Sequence, residues 1–128
     1  MNTNTYIIGG IVAVAILAAA FVLFTDTTQP VPAGKYDSFA SCIKDSGTTF
    51  YGAFWCPHCQ AQKAMFGTAA KNLPYVECST PDGNAQLQVC KDADVSSYPT
   101  WQFPDGSREV GEVPLAKLAE KTGCALPE

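Results

Sequence analysis

Apolar positions follow two regimes along this chain. From Tyr6 to Phe24 they form an almost unbroken run of 19 residues, and Met1 to Thr25 carries no charged side chain. A helix of that length crosses the ~30 Å hydrocarbon core of a bilayer. No polar face interrupts the run, which argues against a helix buried in a soluble core. The competing reading is a cleaved signal peptide, for which the small residues Ala18-Ala19-Ala20 speak. Such peptides have apolar cores of about 7–15 residues behind a basic start, whereas Met1-Asn2-Thr3-Asn4-Thr5 has no basic residue. Residues 1–25 are therefore expected to be an uncleaved N-terminal transmembrane helix. Residues 26–35 read as a linker in which Pro30 and Pro32 limit collapse.

Beyond the linker the pattern changes to short amphipathic pieces. Tyr36, Phe39, Ala40 and Ile43 recur at helical spacing up to a C-cap at Gly47, and Thr48 to Phe54 reads as a buried strand. Gln60 to Lys71 predicts a helix with Ala61, Ala64, Met65 and Ala69 on its inner side. Tyr75 to Cys78 predicts a short strand, and Asn84 to Asp92 a helix entered through the turn Pro81-Asp82-Gly83. Thr100 to Phe103 and Arg108 to Glu112 flank Pro104-Asp105-Gly106-Ser107 as a hairpin. A last helix has Pro114 in its first position, Leu115, Leu118 and Ala119 inward, and Gly123 as its stop. Residues 36–128 thus make one α/β domain.

Composition narrows the partners. The 128 residues carry a formal charge of −4, from 12 acidic and 8 basic side chains, without a basic cluster. Nucleic acid is not an expected partner. Much of the 47% hydrophobic content lies in the first segment, so the domain has a modest core that cross-links would help. The charge bias across the apolar run is silent on orientation, since no Lys or Arg precedes it and the first to follow is Lys35. Six cysteines in so short a domain fit an oxidising compartment. The domain is expected on the extracytoplasmic side of the cytoplasmic membrane, or in an equivalent lumen.

The chemistry concentrates in Trp55-Cys56-Pro57-His58-Cys59. Two thiols stand one helical turn apart at a strand-to-helix junction, with Cys56 at the N-cap and Pro57 at the first helical position, which tolerates proline. Free N–H groups and the helix dipole at that point favour a thiolate, and a protonated His58 adds to the effect. Cys56 is expected to be the exposed nucleophile, its acidity tuned by Pro57 and His58, with Cys59 as the resolving thiol. A zinc site would need a second ligand pair at comparable spacing; Cys42, Cys78, Cys90 and Cys124 form no second CxxC, and His58 is the only histidine. The aromatic residues Phe54, Phe66, Trp101 and Phe103 are assigned to packing. Trp55, beside the reactive cysteine, is assigned to the substrate surface.

A second stretch, Ser97-Tyr98-Pro99-Thr100-Trp101, opens a strand with a proline, which must sit at a strand start or an edge. Together with the strand, WCPHC and helix before it, this order resembles the thioredoxin superfamily. The resemblance implies that Pro99 is cis and faces the CxxC, turning the Tyr98 backbone toward a bound substrate peptide that pairs as an added strand. The words Phe50-Tyr51-Gly52-Ala53-Phe54-Trp55-Cys56-Pro57-His58-Cys59-Gln60-Ala61-Gln62-Lys63, Tyr75-Val76-Glu77-Cys78 and Tyr98-Pro99-Thr100-Trp101 are similar more specifically to the thioredoxin-like domain fused to bacterial and plant homologues of vitamin K epoxide reductase. That similarity spans about Tyr36 to Cys124, without a multi-helix reductase domain. It implies a minimal thioredoxin-like fold, a central mixed sheet of about four strands flanked by helices, lacking the usual first strand.

The resemblance also implies roles. The redox pair falls on Cys56 and Cys59, the cis-proline on Pro99 and an auxiliary cysteine pair on Cys78 and Cys90. The buried acid that reducing thioredoxins carry six positions before the first active-site cysteine is replaced by Phe50. With Pro57-His58 between the cysteines, as in strongly oxidising members of the superfamily, this favours an oxidant or isomerase, because stabilising the Cys56 thiolate stabilises the reduced form. The expected protein is a membrane-anchored thiol-disulfide oxidoreductase acting on extracytoplasmic proteins. The resemblance implies reoxidation by a separate quinone-linked membrane partner of the vitamin K epoxide reductase type. No metal or organic cofactor is implied within the chain. A reductase or isomerase fed by a transmembrane electron carrier stays open, as does a metal-binding or copper-delivery module using Cys56, Cys59 and His58. With the CxxC pair set aside, the other four cysteines can pair in three ways. Cys78–Cys90 closes a short loop, which leaves Cys42–Cys124 by elimination or as two free thiols.

Overall fold

The structure, a computed structural model, describes residues 30–128. The expected transmembrane helix, residues 1–25 with its apolar run 6–24, and the first part of the linker lie outside the described residues. Among the described residues no helix is long and apolar enough to cross a membrane.

The domain runs α1 (Asp37–Asp45), β1 (Thr49–Gly52), α2 (Pro57–Ala64), a 3₁₀ segment (Gly67–Asn72), β2 (Tyr75–Glu77), α3 (Gln88–Asp92), β3 (Thr100–Gln102), β4 (Arg108–Val110) and α4 (Leu115–Thr122). The four strands form one mixed sheet in the order β2-β1-β3-β4. β1 is parallel to β2 and antiparallel to β3, and β3 is antiparallel to β4. β1 is central, and its residues Phe50 and Tyr51 are buried on opposite faces because strand side chains alternate.

Phe50 faces the larger core. Its ring stacks on Trp101 at 4.4 Å, directly across the β1–β3 register. Phe39, Ala40 and Ile43 of α1, Phe66, Ala69, Leu73, Phe103, Val113, Leu118 of α4 and Cys124 complete that cluster. Tyr51 faces a smaller one with Cys78, Cys90 and Val95. Helix α1 presents Phe39 and Ile43 one turn apart to this core, with Asp37 in its first turn and Lys44 in its last, both favourable to the helix dipole. The chain leaves it at Gly47, whose φ of +83° suits a residue without a Cβ.

Several expected boundaries move. The helix expected over Gln60–Lys71 ends at Ala64, because the chain reverses at Gly67, φ +56°, and continues as 3₁₀ turns. Its inward residues are Cys59 and Gln62, followed by Phe66 and Ala69, while Ala64 is exposed. The helix expected from Asn84 begins only at Gln88. Asn84 to Gln86 are taken up by a turn closed by Thr80 N–H donating to Ala85 O and by a bridge between Ser79 and Gln86. Strand β4 stops at Val110 instead of Glu112, since Gly111 has a φ of +93°. Pro114 caps α4 rather than opening it.

Two disulfides tie the domain, Cys42–Cys124 with a Cα–Cα distance of 5.9 Å and Cys78–Cys90 with 5.5 Å. Cys42–Cys124, left in the sequence by elimination or as two free thiols, is formed. Residues of α1 and α4 share one core cluster with Cys124, which brings the two cysteines within reach although 82 residues separate them.

Candidate active site

Cys56 occupies the N-cap of α2, with Pro57 at the first helical position. The N–H of Cys59 donates to Cys56 Sγ at 3.4 Å, and Cys56 Sγ donates to Tyr98 O at 3.7 Å. Both thiols are free. Cys56 was expected to be exposed, yet it is 5% exposed, because it packs with Ala53, Cys59 and Tyr98. The exposed residues at this end are its neighbours Trp55, at 50%, and Phe54, which was assigned to packing but is 48% exposed because it follows the end of β1.

Cys59 lies deeper, 1% exposed. Burial, then the hydrogen bond with Cys56, pushes its thiol up to about 12. Room for the sulfur exists because residue 52 is a glycine: a Cβ there would stand 2.9 Å from Cys59 Sγ and 2.8 Å from Tyr75 Cε2.

The Tyr98–Pro99 peptide bond is cis, and Pro99 is fully buried. Tyr98 is braced by its hydroxyl, which accepts from Gln86 Nε2 at 2.8 Å, and by the edge of the Trp55 ring, whose centroid is 6.1 Å away. Trp55 Nε1 donates to Ser79 Oγ at 2.8 Å. Trp55, Ser79, Gln86 and Tyr98, with residues 83–85, line a recess of about 210 Å³ beside the dithiol. The loop that supplies most of this wall is closed at its ends by Cys78–Cys90. His58 is exposed and pairs with Glu112, with Nδ1 2.7 Å from Oε1.

Cys56, Cys59, Trp55, Tyr98 and Pro99 therefore come together at one end of the sheet, Pro57 and His58 cover the helix start, and Cys42 and Cys124 stand apart from them. Sequence reasoning missed four polar residues that organise this end. Gln62, fully buried, accepts from Val113 N at 2.6 Å and Trp101 Nε1 at 3.3 Å and donates to Val113 O at 3.0 Å, fastening α2 to the segment before α4. Glu112 holds His58. Glu77 accepts from the N–H of Ser79 at 2.9 Å and of Phe54 at 3.2 Å, and its other oxygen accepts from Tyr75 Oη at 2.8 Å. Burial, then that hydrogen bond, raises Tyr75 above the ordinary phenol range. A glutamate inside the apolar word Tyr75-Val76-Glu77-Cys78 was the available signal for this pair. Among the described residues no group of three or more His, Cys, Asp or Glu gathers in a metal-binding arrangement.

The thioredoxin family model matches residues 33–122. The thiol-disulfide oxidoreductase LTO1 of Arabidopsis thaliana is 38% identical over 142 residues, covering 92% of this chain and 36% of that protein. A protein disulfide-isomerase of Aspergillus niger is 32% identical over 90 residues, covering 65% of this chain and 17% of its own length. The chain thus spans well under half the length of either relative.

Proposed function

The chain belongs to the thioredoxin family, and from that premise we propose that it is a thiol-disulfide oxidoreductase working through Cys56 and Cys59 on proteins that carry thiols or disulfides. The observation that carries this reading is the seat of Cys56 Sγ, at a helix N-cap between the Cys59 N–H and the Tyr98 carbonyl. The names of both relatives, a thiol-disulfide oxidoreductase and a protein disulfide-isomerase, support it.

In the oxidative direction a substrate thiolate attacks Cys56 Sγ of the Cys56–Cys59 disulfide, and the electron pair of the broken bond goes to Cys59. A second substrate thiolate then attacks the substrate sulfur of the mixed disulfide and expels Cys56. The helix N-terminus and the Cys59 N–H favour the departing sulfur, which makes the disulfide a better oxidant. Trp55 and the Tyr98 backbone form the surface on which an extended substrate segment lies.

The finer reading is an enzyme of the vitamin K epoxide reductase-associated type. It is anchored through residues 6–24, with residues 26–35 as tether and residues 36–128 as the catalytic domain on the extracytoplasmic side. The reduced dithiol passes its two electrons to a quinone-linked membrane partner. Support comes from the apolar run, the cysteine content and the 38% identity to the longer plant oxidoreductase.

Equilibration of the full chain with glutathione buffers tests the activity and its direction. A Cys56–Cys59 disulfide with a potential above roughly −270 mV is expected. A value at or below that figure would favour a reductase, and failure to exchange would overturn the reading. The anchor predicts retention in membranes under alkaline extraction, and release would refute it.

A further inference from the structure

Cys59 has a proton problem. To close the disulfide from a mixed disulfide on Cys56 it must act as a thiolate, yet burial, the largest cause that holds the proton on this sulfur, persists when Cys56 is bonded to substrate. Turnover requires a group that takes the proton as the sulfur attacks.

The charged and titratable groups acting on Cys59 are Cys56 at the α2 N-cap, Lys63 of α2 and Tyr75 of β2, with Glu77 behind Tyr75. Cys56 is bonded to substrate at that stage. The Lys63 ammonium, 3.3 Å over the Tyr75 ring, has no lone pair to accept a proton. Tyr75 and Glu77 remain. The point where a Gly52 Cβ would sit is 2.9 Å from Cys59 Sγ and 3.4 Å from Tyr75 Oη, so sulfur and hydroxyl converge on one spot left open by the glycine. Tyr75 Oη donates to Glu77 Oε2 at 2.8 Å, and Glu77 Oε1 is fixed by two backbone N–H groups. Glu77 is only partly buried, so a proton it gains reaches solvent.

Taking the Cys56–Cys59 exchange proposed above as given, we propose that Tyr75 and Glu77 form the proton acceptor for Cys59, with the Tyr75 hydroxyl relaying to the Glu77 carboxylate. As Cys59 Sγ bonds to Cys56 Sγ, its proton passes to Tyr75 Oη and the Tyr75 proton passes to Glu77. The Cys56–substrate bond breaks, and its electron pair leaves with the substrate sulfur. When the disulfide is opened, the same path returns a proton to Cys59. Tyr75 keeps its own proton at rest, since burial and the Glu77 bond hold it on, and therefore it relays rather than stores charge.

The test uses the full chain carrying Tyr75→Phe or Glu77→Gln. Tyr75→Phe keeps the ring against Phe50, at a centroid distance of 5.2 Å, and removes only the hydroxyl. Reduced protein is mixed with oxidised glutathione, and the Cys56–glutathione species is followed by acid quench and mass spectrometry across pH. Both variants are expected to lengthen its lifetime roughly 10²-fold at neutral pH. Their closure rates should climb about tenfold per pH unit where the unsubstituted chain flattens, while alkylation of Cys56 stays unchanged. Lifetimes and pH profiles equal to those of the unsubstituted chain would overturn the relay. So would a parallel slowing of Cys56 alkylation, which would mark a general disturbance of the site. If the unsubstituted chain forms no glutathione adduct at Cys56, the exchange reading itself fails, a result distinct from either.

Discussion

On one face of the sheet Phe50 and Trp101 stack inside a cluster that also takes Phe39, Ile43, Phe66 and Leu118. On the other, Tyr51 meets Cys78, Cys90 and Val95. The first face has enough apolar surface to be held by burial, and Cys42–Cys124 adds a tie between α1 and the C-terminal end. The second has little to bury and depends on Cys78–Cys90, which closes the loop forming the wall of the recess next to Cys56. The contrast separates the two tasks. A packed face fixes the strands, and a cross-linked face supplies a substrate surface without a large core beneath it.

The largest expected effect lies on the packed face. Trp101→Ala removes a fully buried indole and one partner of Gln62, and should cost about 3–5 kcal/mol in denaturant unfolding of the oxidised protein. Replacing Cys78 and Cys90 together with Ala should cost less, about 2–4 kcal/mol. The loss should show first as faster amide exchange in the loop between them. If the double cysteine variant proves the more damaging of the two, the division of labour is reversed. Glu112→Gln, which breaks the partly exposed pair with His58, should change stability by less than about 1 kcal/mol.

The two faces were unequally legible in the sequence. The order of elements, the placing of Cys56 at a helix N-cap and the turn glycines Gly47 and Gly123 follow from local pattern, and local physics is enough to set them. Of the run Ala61, Ala64, Met65 and Ala69, Ala69 is buried and Met65 packs against the core, but Ala64 is exposed, because small apolar residues mark a helix face weakly and Gly67 breaks the helix midway. Gln62, buried in its place, is polar and pairs with Val113 and Trp101, neither of which is near in sequence. The shortness of α3 reflects the Asp82-centred turn, in which Thr80 and Asn84 bond to the Asp82 carboxylate and hold it below the usual carboxylate range. The burial of Cys56 and the Tyr75–Glu77 pair arise where β1, β2 and the Tyr98 segment converge. Such convergence has no signature in linear spacing.

The unequal environments of two thiols one helical turn apart are the centre of the account, and alkylation of the reduced chain with iodoacetamide as a function of pH reads them directly. Cys56 should be modified first at neutral pH. Cys59, its thiol raised to about 12, should react only as rising pH populates its thiolate, by about tenfold per unit up to that value. Equal rates for the two cysteines at neutral pH, or earlier modification of Cys59, would contradict the assignment of nucleophile and partner.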